Sequence, residues 1–255
     1  MTAITPAIRG SALGRLALTE LKLFTRERVR LVVGAGFPLV LLIIFGSIPY
    51  FNKPMTSLGG YTLLDAYVPI LIAFTLAILS LTALPMVLAS YRERGVLRRL
   101  QTTPIGPARV LGAQLAANLT VAAASVVLVL AVARLGYHVS LPRQLAGFVL
   151  AALLTAAALM AVGLVIAAIA PNGRTAQVTG ALLFYPLMFF AGLWLPIPTM
   201  PAVLQHISHA TPLGAAVQAL QDSAQGHWPH PLQLLTMAAY AVVFGLGATR
   251  LFRWE

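Results

Sequence analysis

The chain has no cysteine. That excludes a disulfide framework, thiol chemistry and a cysteine-type structural zinc site. Charge is scarce as well: 9% of the 255 residues are Asp, Glu, Lys or Arg, and only 6 are acidic. Glu20, Glu27, Asp65, Glu93, Asp222 and Glu255 all stand outside the long apolar runs or at their edges. Proton- and cation-coupled carriers place ionisable groups within the membrane as relays or ion sites, so this absence argues against that class. No carboxylate pair is set out for acid–base work and no serine sits in a nucleophile elbow, which leaves an intramembrane enzyme poorly supported. Lysine occurs only as Lys22 and Lys53, and neither follows the glycine of a G-x-x-x-x-G-K-[ST] loop. The chain therefore does not bind ATP by that route; if it is driven by ATP, the ATPase is a separate polypeptide.

What the chain has is apolar length. It is 59% hydrophobic, its mean hydropathy is +0.88, and an ordinary soluble domain is roughly 45–50% apolar. Six runs, at 31–48, 67–89, 108–133, 145–170, 178–195 and 232–252, fit membrane spans. The predicted fold is all-α and polytopic, a single membrane domain over 1–255. Residues 1–30 carry Leu13, Leu16, Ala17, Leu21 and Phe24 at three- and four-residue steps, with basic residues on the flanks. That pattern predicts an amphipathic helix in the cytoplasmic interface. Asn118, in the third run, reads as interhelical glue, and Gly163, in the fourth, as a point of close helix approach. Residues 196–231 are rich in proline and read as an outside segment.

The arginines set the orientation. With residues 90–107 inside, only Lys53, Arg134 and Arg143 of the 17 basic residues face outward. The positive-inside rule selects this topology, with both termini in the cytoplasm. The net charge of +11 is thus a topology signal. It is not a nucleic-acid footprint, because no soluble domain exists to present a basic face. The localisation that follows is a cytoplasmic membrane of bacterial type, crossed several times.

One cytoplasmic stretch stands apart, running from Tyr91 to Ile105. Arg92, Glu93, Arg94, Arg98 and Arg99 crowd its first part. Read as a helix, it sets Val96, Leu97 and Leu100 on one side, with Arg94, Arg98 and Arg99 on the flanks. Glu93 falls in the first turn, where a carboxylate suits the helix dipole. Gly95 loosens that turn, and Thr102-Thr103-Pro104 ends the helix. These residues fit two readings: a short amphipathic helix that passes a push from a soluble partner into the spans, or a basic loop that only fixes topology.

Glu93-Arg94-Gly95-Val96-Leu97-Arg98-Arg99-Leu100, followed by Thr102-Thr103-Pro104-Ile105, resembles the cytoplasmic signature of type-2 ABC exporter permeases, with the daunorubicin-resistance-like drug efflux branch the nearest in pattern. The likeness extends in outline over the chain, including the segment Gly192-Leu193-Trp194-Leu195-Pro196-Ile197-Pro198. It implies an N-terminal elbow helix, a coupling helix and re-entrant helices between the fifth and sixth spans. It implies ATPase coupling through Glu93, Arg94, Gly95, Leu97, Arg98, Arg99, Leu100 and Pro104. It also implies two copies of a partner ATPase carrying ATP and Mg, and a second permease, either the same chain or a sister. The family lines its pathway with the second and fifth spans, which here offer Phe74, Leu81, Phe184, Met188, Phe189 and Phe190. Such a lining suits a lipophilic or amphipathic cargo such as a drug, an antibiotic or a lipid.

The readings outside this family are a non-transporting assembly or sensory subunit and a lipid-modifying membrane protein. His206, His209, His227 and His230 all fall in the outside segment, and His227-Trp228-Pro229-His230 sets two of them close. Without a carboxylate cluster they read as interfacial histidines rather than metal ligands.

Overall fold

The computed structural model describes residues 36–55, 60–95 and 107–251, without the side chains of residues 107–110 and 198. The amphipathic helix expected over 1–30 lies outside the described residues. Every regular element among the described residues is helical, and the extended pairing is an isolated bridge between Pro54 and Thr62. The helices are α1 (Phe37–Ser47), α2 (Leu63–Glu93), α3 (Pro107–Tyr137), α4 (Leu145–Ile169), α5 (Gly173–Phe190), α6 (Ala202–Ala210), α7 (Pro212–Gln225) and α8 (Pro231–Leu251). Four of them, α2, α3, α4 and α8, are long and apolar enough to cross a membrane. α1 is apolar but shorter. α5 carries Arg174, Thr175 and Gln177 in its first turns, which dilutes its apolar character.

α2 is the hub of the bundle. It packs against α1, α3, α4, α5 and α7, and every residue from 68 to 77 is buried. A helix enclosed on all sides needs no polar face, which is why its sequence is apolar all round. The 31 residues of α2 extend further than the expected 67–89. At about 1.5 Å per residue they reach roughly 46 Å, beyond the roughly 30 Å of hydrocarbon. A capping box starts the helix: the Thr62 hydroxyl accepts from the Asp65 N–H at 3.1 Å, and the Asp65 carboxylate accepts from the Thr62 N–H at 2.9 Å.

Midway, α2 passes through a π turn at Leu79–Ala83. Gly163 of α4 lies against the Ser80 carbonyl and Gly180 of α5 against the Leu81 carbonyl, so closely that a Cβ at either position would collide with the oxygen. Small residues let the three backbones meet where the helical ladder is locally widened. Gly163 thus has the close approach its sequence context implies.

α5 departs from expectation. Its expected range is 178–195, but the helix runs Gly173–Phe190, five residues earlier at both ends. The Asn172 side chain starts it by accepting from the Thr175 N–H at 2.8 Å. Gly192, at φ +86, caps its C-terminal end. The hydropathy run marks the apolar stretch, whereas the cap sets where the helix begins.

Residues 196–231, expected as an outside segment in which the resemblance implies short re-entrant helices, contain α6 and α7. α7 has 14 residues, about 21 Å of helix, too short to span the hydrocarbon. It is nonetheless deeply buried, with Leu213, Val217, Ala219 and Leu220 fully enclosed against α2, α4, α5 and α8. The Ser208 hydroxyl of α6 donates to the Phe190 carbonyl at 2.6 Å, tying α6 to the end of α5. α8 lies against α4 and exposes Leu232, Leu235, Val242, Val243 and Leu246 on its far side.

Candidate functional site

Two places carry the features that the sequence singles out. The first is the end of α2. Within the stretch expected as a short helix over Glu93–Leu100, the placement of Glu93 in a first turn is corrected: Glu93 is the last residue of α2, and Arg94 and Gly95 form a turn. The Arg94 N–H donates to the Ser90 carbonyl at 3.1 Å and the Gly95 N–H to the Arg92 carbonyl at 2.9 Å. Gly95 sits at φ +65, the left-handed conformation that ends helices and favours glycine. This glycine follows the last turn of the second span. Leu97, Arg98, Arg99, Leu100 and Pro104 lie outside the described residues.

The two charges before that turn are spoken for within the chain. The Arg92 guanidinium donates to the Ala168 carbonyl at 2.7 Å and also to the Ala170 carbonyl, both at the C-terminal end of α4. The Glu93 carboxylate accepts from the Gly173 N–H at 3.2 Å, at the first residue of α5. Each charge meets the helix end of opposite sign. The Tyr91 hydroxyl accepts from Gln114 Nε2 at 3.3 Å, which links the same end of α2 to α3. Arg94 is exposed.

The second place is an apolar cleft of about 450 Å³ between α1, α2 and α5. Phe37, Leu41 and Phe45 come from α1, Phe74 and Ile78 from α2, and Phe184 and Tyr185 from α5; Leu193 and Trp194 complete the wall. The rings form a connected series. Phe37 stacks on Phe74 with centroids 5.1 Å apart, and Phe74 meets Phe184 edge-on at 5.0 Å. No lining residue carries a charge, and only Tyr185 and Trp194 bring hydrogen-bonding side chains. The volume falls within the range of small-molecule sites, roughly 300–1,000 Å³, and the lining is of their usual kind.

The six pathway residues divide three ways. Phe74 and Phe184 line the cleft. Leu81 and Met188 are fully enclosed by protein in the core. Phe189 and Phe190 are half-buried, pair with each other at 5.4 Å, and stand away from the cleft wall. Sequence reasoning missed the contribution of α1. The signal was there: Phe37, Leu41 and Phe45 recur every four residues, which puts them on one helix face.

Asn118 is buried, and its side-chain N–H group has no hydrogen-bond partner among the described residues. Interhelical bonding through that group is therefore not part of this arrangement. Among the described residues no three His, Cys, Asp or Glu side chains gather in a way that could hold a metal. His230 serves the backbone: its Nδ1 accepts from the Leu232 N–H at 3.3 Å, and its own N–H donates to the Gln233 side chain at 2.9 Å, at the start of α8.

Residues 12–224 match the family described as ABC-2 type transporter. Comparison with curated proteins finds no match. A match over most of the chain, on an all-helical bundle with four membrane-length apolar helices, makes the assignment: the chain belongs to the ABC-2 type transporter family and is a transmembrane component of such a transporter.

Proposed function

We propose that this chain is the permease of an ATP-driven exporter that moves a lipophilic or amphipathic compound out of the cytoplasm or the inner leaflet. The observation that carries the reading is the uncharged aromatic cleft between α1, α2 and α5. An apolar cargo with one or two polar groups gains contact there, and the cleft demands no desolvated charge. In this reading the chain spans a bacterial-type cytoplasmic membrane six times, with α1 and α5 as the two further spans. Both termini lie inside, and α6 and α7 are the re-entrant pair at the outer leaflet. Burial of α7 supports that role, because non-spanning backbone at membrane depth must be enclosed by protein or line a cavity.

Two permeases, identical or sister chains, pair with two ATPase subunits that bind ATP and Mg. The segment from Glu93 to Pro104 receives the ATPase motion, with Arg94, Arg98 and Arg99 facing acidic groups of the partner and Leu97 and Leu100 entering an apolar groove. ATP-driven closure then shifts the membrane halves from inward-open toward outward-open. Drug efflux of the daunorubicin-resistance kind is the cargo class this reading favours.

Gentle extraction from the native membrane, followed by mass spectrometry, tests the assembly. Recovery of an ATPase with the parent chain, and its loss when Leu97, Arg98, Arg99 and Leu100 are replaced together by alanine, is the expected result. Recovery of the chain alone overturns the exporter reading. For the cargo site, Phe184→Ala is expected to lower export and cargo-stimulated ATPase at least fivefold. Unchanged values in both would remove the cleft from the pathway.

A further inference from the structure

The signature turn and the cleft are far apart, and one arrangement joins them. Arg92 and Glu93 are neighbours at the end of α2, yet they hold different helices. Arg92 takes the last carbonyls of α4, and Glu93 takes the first N–H of α5. Between those helix ends lies only the short turn around Pro171 and Asn172. The two side chains therefore grip that turn from both sides, each on the helix pole of opposite sign.

The grip continues along α5. Gly173, Ala176, Gly180 and Phe184 are buried on one face of this helix. Gly173 lies so close to Ser90 and Met86 of α2 that a Cβ would strike them, and Gly180 lies equally close to the Leu81 carbonyl. Backbones in this contact cannot slide past each other without separating. Phe184, on the same face, closes the run at the cleft. From Gly173 to Phe184 is about three turns, roughly 16 Å of helix. α1, on the other side of the cleft, takes no part in this contact.

We infer that Arg92 and Glu93 are positioning residues forming a two-ended clasp on the α4–α5 turn, so that displacement of the signature turn is delivered through α5 to the Phe184 wall of the cleft. This rests on the exporter reading for the source of the displacement; the clasp itself does not. The two charges would then be needed for transmission rather than for docking the ATPase.

The test has two arms, using the full-length chain in lipid nanodiscs. In the first, amide hydrogen exchange is followed over residues 170–176 of the permease without ATPase. Arg92→Ala and Glu93→Ala, made separately at the partly exposed end of α2, are expected to speed exchange there at least fivefold while leaving α7 unchanged. Equal exchange in the parent and both variants overturns the clasp. In the second arm the permease is assembled with its ATPase. The absence of native cysteine lets Val40→Cys and Leu182→Cys carry one spin label on α1 and one on α5 of each labelled permease chain, with unlabelled chain mixed in excess so that one labelled copy per assembly is read. ATP is expected to change the label distance in the parent chain. In the two clasp variants, co-purified ATPase is expected to stay at the parent level while that distance change falls to less than half. A full distance change in the variants, no change in the parent, or loss of the ATPase from the variants overturns the lever. A parent chain that recovers no ATPase removes the exporter reading and the lever together, and the exchange arm still decides the clasp.

Discussion

α2 and α8 both look like plain membrane spans in the sequence, with no charge in their apolar stretches. In the bundle they differ sharply. α2 is enclosed by five other helices and buries every residue from 68 to 77. α8 rests on α4 and α7 and buries only Met237 and Ala248. Lipid is as apolar as leucine, so hydropathy alone cannot separate a side chain that faces protein from one that faces acyl chains. What separates them is close packing: dispersion contacts and backbone approach, which lipid tails do not reproduce with the same fit.

That contrast can be broken by substitution. The largest expected effect is at the π turn. Gly180→Val places a branched side chain against the Leu81 carbonyl; it is expected to prevent recovery of folded protein, read as loss of the monodisperse peak after detergent extraction. Next is Leu71→Ala, which empties a fully buried site in α2; a cost of about 2–5 kcal/mol is expected from reversible denaturation in mixed micelles. Thr62→Ala removes the hydroxyl half of the capping box on α2 and is expected to cost about 1 kcal/mol by the same measurement. Smallest is Val243→Ala on the outward face of α8, expected to fall within about 0.5 kcal/mol of the parent. A Val243→Ala cost as large as that of Leu71→Ala would mean that α8 is covered by protein, and the contrast between the two helices would fail.

The sequence made some features legible for clear reasons. Apolar runs announced the helices, because a backbone in hydrocarbon must satisfy its own hydrogen bonds. Gly163 announced a close approach, and the structure puts it on the Ser80 carbonyl. The extent of α5 was not legible from hydropathy, although Asn172-Gly173, where it starts, is an Asn-Gly turn signal in the sequence. The end of α2 at Glu93 was hidden because the signature stretch has an amphipathic pattern on both sides of Gly95; the left-handed conformation at that glycine decides where the helix stops. The α1 wall of the cleft, three of its nine lining residues, was missed because α1 was weighed as a span only, and the four-residue recurrence of Phe37, Leu41 and Phe45 was not used.

By itself the sequence determined that this is a helical membrane protein whose basic residues gather outside its apolar runs and whose 255 residues hold no G-x-x-x-x-G-K-[ST] loop. Those conclusions depend on composition, on charge placement and on the absence of particular residues, all of which act locally. Only the tertiary structure decided that α2 is central and α8 peripheral, that Arg92 and Glu93 hold the ends of two other helices, and that Phe37, Phe74 and Phe184 share one cleft. These depend on which helix faces which, and among apolar helices that choice is made by glycine contacts and shape complementarity between residues distant in the chain.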